Sequence, residues 1–443
     1  MTKECVLLFS QKLSLARELL SRLTHLGLFF LSFPLSAVVV QSQINTQSRL
    51  GYHLVAPTDL SSHRHELEIN HVIKFQSPWS LGTGFRALVE GAYATNSSRY
   101  PDPVRTRDTQ DIILRDLYLQ YKSGLTTLTF GNQQVVWGEA FGFYYADLIN
   151  PKDFRDFGIG PLERNRLHIP MINFKLNFTD NVFQFLYVIK PFFNKTPNIG
   201  SDFSFPFNRF FAPGTFSFND ERTQDISWKS AEYGGRFTPN ISGIDLSFLY
   251  FNYFDRAPVY ISSLSSGQTE IRGKHNRLET LGATLSLPVS TLVLRAETLL
   301  HRHKHFNKFS GALNSFISDQ FVGVLGVDYI VGDRWRLGVQ LGENYRFRTE
   351  EGALEKASTQ LITVHGSLTF FHDRTFDLLV AYAPHDGSSL TEISYTLPLS
   401  KRIDLLIASD LFNGGSSSQF GLYHPATRAY IQIKTYLGSE SRL

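Results

Sequence analysis

Hydrophobic and polar residues alternate in many short segments of the chain. In ELEINHVIKF, residues 66–75, one face collects Leu67, Ile69, Ile73 and Phe75, while the opposite face is largely charged or polar. INFKLNF (172–178) and RWRLGVQLG (334–342) repeat the pattern. Because successive side chains of a β-strand point to opposite faces, this period of two predicts strands with one apolar and one polar face. We therefore expect an all-β protein.

The connections between these segments are alternately short and long. Short links such as TDNV (179–182), VGDR (331–334) and HDRT (372–375) interleave with generally longer polar stretches. Outer-membrane β-barrels show this asymmetry, with brief periplasmic turns and long external loops. The pattern predicts about 18 strands, with 16 as the alternative count. They are expected near residues 47–55, 64–76, 82–95, 109–121, 125–135, 169–178, 181–190, 227–238, 243–255, 275–287, 290–302, 317–331, 334–347, 359–371, 374–384, 388–398, 402–411 and 427–437.

The way the chain could cross a membrane is limited by its apolar runs. Beyond the N-terminal region no segment has 18 consecutive apolar residues, so any crossing has to be made by strands. A soluble β-sandwich would alternate as well. Here the polar face often carries charge or glycine at mid-strand, which together with the asymmetric connections favours a transmembrane antiparallel β-barrel. The chain is too short for a plugged barrel of about 22 strands.

The N-terminus is organised like a secretory signal peptide. The uncharged run LGLFFLSFPLSAVVV at 26–40 follows four basic residues, Lys3, Lys12, Arg17 and Arg22. The run is shorter than the roughly 20 residues of a spanning helix, although an N-terminal membrane anchor is the alternative. We predict a signal peptide at 1–42 and a barrel domain at 43–443. Cys5, the only cysteine, would leave with the signal peptide, so no disulfide or thiolate site is expected.

Composition and charge narrow the class further. Aromatic residues make up 14% of the chain, with 38 Phe and 19 Tyr, as expected for aromatic girdles at the two membrane interfaces. The net charge is +3, and residues 1–42 carry four basic and two acidic groups, so the mature chain is about +1. This balance gives no support to a nucleic-acid partner.

The third external connection carries the most distinctive motif. Residues 131–170 read GNQQVVWGEAFGFYYADLINPKDFRDFGIGPLERNRLHIP. The pattern G-x-Q-x-x-x-W-G-E, then D-x-x-N-P-x-D, then Glu-Arg resembles a largely uncharacterised family of porin-like outer-membrane β-barrel proteins of Gram-negative bacteria. The matching residues are Gly131, Gln133, Trp137, Gly138, Glu139, Asp147, Asn150, Pro151, Asp153, Glu163 and Arg164. The resemblance covers residues 125–190 and implies the fold without indicating a solute.

This connection is expected to shape the lumen. Asn150 and Pro151 predict the start of a short helix that ends at Gly158. A loop of this length with charges of both signs resembles the third loop of general porins, which folds into the lumen and narrows it. The candidate constriction residues are Glu139, Asp147, Asp153, Arg155, Asp156, Glu163, Arg164 and Arg166. Alternatively, these side chains pair with one another or with the wall and only hold the loop. Trp137 is expected to be a girdle or packing residue.

The polar strand faces supply candidate lumen-wall residues of both signs. They are Glu66, Glu68, Lys74, Asp116, Lys175, Arg295, Glu297, Arg336 and Lys434. The mixture favours a water-filled channel for passive passage of small solutes across the outer membrane of a Gram-negative bacterium. Outer-membrane lipid, small solutes and the barrel-assembly machinery are the expected partners. No cofactor is expected, and the oligomeric state stays open.

Residues 191–218 form an unusually phenylalanine-rich loop. An exposed apolar patch of this size usually marks a surface that contacts something. An alternative function is therefore transport of hydrophobic compounds through an apolar entrance made by Phe203, Phe205, Phe207, Phe210 and Phe211. The competing interpretation is that the rings pack onto the barrel rim and the neighbouring long loop.

Catalytic or metal chemistry has little support in the sequence. HRHKH at 301–305 would place His301, His303 and His305 on one face of an extended segment, but no acidic or cysteine ligand lies beside it. No nucleophile-elbow, phosphate-cradling or zinc-hydrolase motif is found. We therefore expect no catalytic residue, no metal site and no enzymatic activity. A barrel-embedded hydrolase is the least favoured alternative.

Overall fold

The computed structural model describes residues 39–75, 78–138, 140, 145–156, 164–207, 210–211, 215–220, 229–265 and 267–438. Most of the regular structure in these residues is β-strand. The helical elements are short: α1 (Gly91–Thr95), α2 (Asp102–Arg107) and 3-10 turns at Phe371–Asp373 and Gly421–Ala426. None of the helices in the described ranges is long and apolar enough to cross a membrane.

The strands follow one another with few interruptions. The first half of the chain forms β1 (Val39–His53), β2 (Leu60–Lys74), β3 (Trp79–Glu90), β4 (Gln110–Ser123), β5 (Thr126–Gln133), β6 (Ile169–Phe178), β7 (Asn181–Val188), β8 (Phe216–Asp220), β9 (Glu232–Thr238), β10 (Asn240–Ile241) and β11 (Ile244–Phe254). The second half forms β12 (Val259–Ser265), β13 (Gln268–Lys274), β14 (Arg277–Val289), β15 (Leu292–Phe309), β16 (Leu313–Val331), β17 (Trp335–Arg346), β18 (Ser358–Thr369), β19 (Thr375–Ala383), β20 (Ser388–Ser400), β21 (Ile403–Asn413) and β22 (Arg428–Gly438).

The main sheet closes on itself as an antiparallel barrel. It contains 19 strands, of which the two-residue β10 only prolongs β9, so 18 strands complete the circuit. The closing pair is β1 with β22, in register from Gln43↔Gly438 to His53↔Arg428. The predicted barrel of 18 strands is therefore confirmed, and the alternative count of 16 is wrong. Closure leaves no unpaired edge, which a spanning sheet in lipid requires.

Short turns and long loops lie at opposite ends of the barrel. The short turns join β2 to β3, β4 to β5, β6 to β7 and so on around the circuit, and Gly124 supplies a positive φ of 54° in the second of them. The opposite ends carry the connections that we call external loops. They include L2 (91–109), L3 (134–168), L4 (189–231), L5 (255–276) and L7 (347–357). In L4 and L5, β8, β12 and β13 form a separate three-stranded sheet.

The alternating pattern translates into an apolar outer face and a polar inner face. On β17, Leu337, Val339 and Leu341 are 45%, 49% and 55% exposed on the outside, while Gln340 between them is fully buried on the lumen side. The predicted register of this strand is confirmed. At the short-turn end, the rings of Trp79 and Tyr121 lie 4.8 Å apart, where an aromatic girdle belongs.

The predicted first strand was too short. β1 begins at Val39 instead of residue 47, and Val39 pairs with Lys74 at the far end of β2. The signal peptide predicted at 1–42 lies almost entirely outside the described residues, and its cleavage near Ser42 stays a prediction.

The helix predicted from Asn150 and Pro151 is wrong. Lys152 forms an antiparallel bridge with Arg166, and Asp153 forms a parallel bridge with Lys195. Asn150 does not cap a helix: its Oδ1 accepts from the backbone N of Val135 (2.8 Å), and its Nδ2 donates to the carbonyls of Gln133 and Leu167. Contacts with the end of β5 and with the two ends of L3 thus replace the local cap. The predicted end of this helix at Gly158 lies outside the described residues.

The three histidines of HRHKH do not share a face. A bulge between His301 and Lys304 interrupts the pairing of β15 with β16, and His303 within it has a φ of 60°. His301 lies opposite the buried Gln320, whereas His305 lies opposite Ile317, which is exposed on the outside. The bulge shifts the alternation and separates the rings. In the described part of the chain, no group of three potential metal ligands is found.

Candidate functional site: the barrel lumen

L3 crosses the inside of the barrel. At one side, the Glu297 carboxylate on β15 accepts hydrogen bonds from the backbone N of Ala140 (2.8 Å) and of Ala146 (2.9 Å). At the other side, Asp156 reaches arginines on β1, β2 and β22. Because β15 lies about half-way round the circuit from β1 and β22, a loop attached at both places must span the lumen.

Asp156 is the principal attachment on the second side. Its Oδ2 pairs with Arg49 and, at 3.0 Å, with Arg64. Its Oδ1 lies 2.8 Å from Arg428. Burial by itself would raise the pKa of Asp156, but the charges of Arg428, Arg49 and Arg64 outweigh it and hold the pKa well below its usual range. The carboxylate is therefore charged at any physiological pH.

Arg164 makes a second attachment close by. Its guanidinium pairs with Glu66 on β2 and with the amide oxygen of Gln47 on β1. Its backbone carbonyl accepts from Arg86 on β3 at 2.6 Å and more weakly from Arg115 on β4 at 3.4 Å. The returning arm of L3 is thus held against four consecutive strands.

The remaining L3 charges pair mostly within the loop region. Arg155 donates to Asp153 (2.6 Å) and to Asp111 (2.8 Å), which also pairs with Lys195 of L4. Burial would raise the pKa of Asp153, but the hydrogen bonds and charge of Arg155 lower it overall. Arg166 donates to the buried Asp147 at 2.6 Å.

The candidate constriction residues that the structure describes thus pair with one another or with the wall. Five of them also line the open cavity: Asp153, Arg155, Asp156, Arg164 and Arg166. Asp147 is buried within L3, and Glu139 and Glu163 lie outside the described residues.

An apolar core fills the lumen on one side of L3. Trp137 is fully buried and packs among Ile149, Met171, Leu186 and Phe251. Its indole N–H donates to the Gln184 side chain at 3.0 Å. Of the two predicted roles, girdle or packing, Trp137 has the packing role. Its contacts fix the start of L3 against the barrel wall.

The other side of L3 stays open as a cavity of about 1260 Å³. Of the predicted wall residues, Glu66, Arg295, Arg336 and Lys434 line it. Glu297 faces the lumen but is buried under L3. Lys175 lines a separate cavity of about 300 Å³, Asp116 bonds to His168 at 2.9 Å, and Glu68 lies 3.8 Å from Arg115. Lys74 lies at the short-turn end of β2.

The sequence interpretation missed the arginines that dominate the cavity wall. They are Arg49, Arg64, Arg86 and Arg428. The face assignment of β2 could have found Arg64, because it precedes Glu66 by two residues and so shares its face. The other three bind L3, since Arg49 and Arg428 pair with Asp156 and Arg86 donates to the carbonyl of Arg164. One strand's pattern does not reveal contacts with a distant loop.

The phenylalanines of L4 are packed. Phe207 is 2% exposed and lies against Tyr260 of the small sheet, with ring centroids 4.9 Å apart. Phe203 is 6% exposed and contacts Phe412 and Tyr423. Phe205, Phe210 and Phe211 are half-buried beside them. The five rings thus divide between two packed clusters, Phe203 in one and the other four in the second, and no exposed patch made by them is found in the described part of L4.

Comparison with known proteins supplies the family. The family described as "Protein of unknown function (DUF1302)" matches residues 63–342. The chain belongs to this family. No curated protein matches the sequence. The G-x-Q-x-x-x-W-G-E motif itself is not tested by these matches and stays a prediction.

Solved structures support the fold. The chain is similar to OccAB2 of Acinetobacter baumannii, with a TM-score of 0.54, 10% identity, and coverage of 90% of this chain and 98% of that one. It is also similar to OccK8 (OprE) of Pseudomonas aeruginosa, with a TM-score of 0.51, 9% identity and the same coverage of 90% and 98%. At such low identity the likeness shows the fold alone, a porin-like barrel of the outer-membrane type.

Proposed function

We propose that this protein is a porin-like channel for the passive passage of small polar solutes across the outer membrane of a Gram-negative bacterium. The observation that carries the proposal is the cavity of about 1260 Å³ between L3 and the barrel wall. Charged and polar side chains line much of it, and such a lining suits water and hydrophilic solutes. L3 would act as the constriction.

The charges of the cavity favour weak selectivity. Asp156 and Arg164 of L3 are each neutralised by wall partners. Residues of both signs also line the cavity, among them Lys434, Arg336, Asp377 and Glu392. Because both signs remain close together, we infer a channel that filters by size more than by charge.

The alternative of a hydrophobic-compound transporter lacks a specific observation in its favour, because the L4 rings pack against one another. We propose no enzymatic activity and no cofactor. Outer-membrane lipid and the barrel-assembly machinery remain the proposed partners, and the proposed signal peptide at 1–42 would direct export.

Deletion of residues 141–160 tests the role of L3. The deletion removes the Ala146 and Asp156 attachments, so we expect higher single-channel conductance in planar bilayers with the barrel still assembled. Gels of heated and unheated samples check assembly. Unchanged conductance would show that L3 does not limit the pore, and a wild-type barrel without conductance would mean a plugged lumen.

Single charges within L3 give a finer test. In a narrow passage a charge acts at higher effective strength than in bulk water, so Arg155→Glu should shift selectivity toward cations. The matched control is Arg105→Glu in L2, a more exposed position, where salt screens the charge within about 8 Å at physiological ionic strength. Equal shifts in reversal potential from both variants would contradict a constriction at L3.

A further inference from the structure

A second cavity of about 230 Å³ lies toward the external end of the barrel, separate from the main lumen cavity. Its floor is a row of cross-strand neighbours on the lumen face: His301 on β15, Gln320 on β16 and Arg346 on β17. Tyr145 of L3 closes one side, where its hydroxyl accepts from the Asn344 amide at 3.2 Å. The cavity therefore lies between the wall and L3.

Arg346 is fixed in a single orientation. The residue is only 3% exposed. Its Nε donates to the carbonyl of Arg348 and its Nη2 to the carbonyl of Glu355, both at 3.0 Å. The guanidinium carbon lies 5.0 Å from the ring centroids of both Phe306 and Phe316. Two backbone acceptors and two aromatic rings thus preorganise this cation.

One nitrogen of this guanidinium lacks a hydrogen-bond partner. Nη1 of Arg346 is buried and has no hydrogen-bond partner, and Oε1 of Gln320 on the neighbouring strand is in the same state. Within the described ranges, no carboxylate lies within ion-pair distance of Arg346, although 28 ion pairs are formed elsewhere. A buried cation with a free donor is costly unless something occupies the space beside it.

We propose that this cavity binds a small carboxylate that carries a hydroxyl group. Nη1 of Arg346 would donate to the carboxylate. Lys304 and Lys356 in the cavity lining add positive charge, and Glu355 in the same lining adds one negative charge. Oε1 of Gln320 would accept from the hydroxyl. At roughly 30 Å³ per water molecule, the cavity of about 230 Å³ holds about eight water-sized groups. This volume favours a short acid. The inference rests on the proposed function for its meaning, since it names a class of solute that would bind beside the passage, toward the external end of the barrel.

Calorimetric titration of the detergent-solubilised protein with three probes tests the proposal. Lactate carries both groups, propionate lacks the hydroxyl, and lactamide lacks the charge. We expect lactate to bind about tenfold or more tightly than either of the others, because each comparison leaves one buried group unpaired. Equal binding of lactate and lactamide by the wild-type protein, or no lactate binding, would overturn the proposal.

Three variants assign the preference to residues. Arg346→Gln should abolish the preference for lactate over lactamide, and Gln320→Leu should abolish the preference for lactate over propionate. The matched control is Arg348→Gln, which removes the same charge from a side chain that is 64% exposed and should bind lactate as the wild type does. Heat-dependent mobility on gels confirms that each variant is assembled.

The outcome is separable from the channel proposal. Lactate binding by a protein that conducts no ions would retain this site and reject the channel. Conductance that increases after deletion of L3, with wild-type lactate affinity in Arg346→Gln, would retain the channel and reject this site.

Discussion

At the scale of single residues, the lumen is organised by two carboxylates that hold L3, the buried Glu297 and the partly exposed Asp156. Glu297 binds two backbone N–H groups of the loop, and Asp156 is shared by three arginines from the wall. Such sites are asymmetric in energy, because removing one partner leaves the other charges buried and uncompensated. Asp156 is therefore the residue at which a small change should affect the loop most.

Asp156→Asn should weaken the attachment of L3 by roughly 1.5 to 3 kcal/mol, the usual contribution of hydrogen bonds to a charged group. We expect frequent gating transitions in single-channel records at pH 7. In the wild type, the lowered pKa of Asp156 keeps the attachment intact above the carboxyl's ordinary value of about 3.9, and the attachment is lost only as the pH falls through the lowered pKa. The control Asp102→Asn changes a largely exposed side chain in L2. Equal gating in both variants would argue against the Asp156 attachment.

At the scale of the strands, alternation decides which side chains meet lipid. On β17 the outward Leu337 and Val339 are apolar, and the inward positions contact neighbouring strands or line the cavity. Gln340 shows a limit of the sequence pattern: it faces inward as predicted, but it is fully buried and packs over Gly326 instead of meeting open water. Inward and water-exposed are therefore separate properties of a strand position.

Val339→Arg should cost roughly 2 to 4 kcal/mol, because it places a charge in lipid near the middle of β17. The control is Ser394→Arg, which places the same charge in the lumen cavity opposite Asp377 on the adjacent strand and should be mild. Equilibrium unfolding in lipid vesicles measures both. Equal destabilisation would mean that the faces are assigned wrongly.

At the scale of the whole molecule, stability depends on closure. The pairing of β1 with β22 joins the two ends of the sheet, so that every strand of the circuit has two neighbours. An open edge would leave backbone groups unpaired in hydrocarbon. L3 is attached to strands that are distant from one another in sequence, so its position across the lumen depends on the complete barrel.

The protein should be recovered in outer-membrane fractions and should change mobility on gels between unheated and heated samples, because a closed barrel resists detergent until it is heated. Removing residues 428–443 deletes β22 and exposes the edges of β1 and β21, so this truncation should lose the compact band. Recovery of the full-length protein as a soluble periplasmic species would contradict a closed transmembrane barrel. A compact band from the truncation would contradict the closing role of β22.

The sequence by itself predicted the barrel strands and their faces and favoured 18 strands over 16, but it did not predict the small sheet or the start of β1. Alternation is a local property, so ELEINHVIKF and RWRLGVQLG identify their outward residues without any tertiary information. Trp137 was predicted to be a girdle or packing residue, and the length and mixed charges of L3 led to the prediction that this loop folds into the lumen.

Only the tertiary structure decided which partners those charges have. Arg49, Arg64 and Arg428 come from both ends of the chain and meet Asp156 only because the barrel closes. The predicted helix at Asn150 failed for a similar reason, since its amide binds backbone groups of β5 and of the segment before β6 in place of a local cap. The bulge that separates His301 from His305, and the unpaired end of Arg346, likewise depend on cross-strand register. Local patterns fix which face a residue occupies, whereas pairing across the sheet fixes what it contacts.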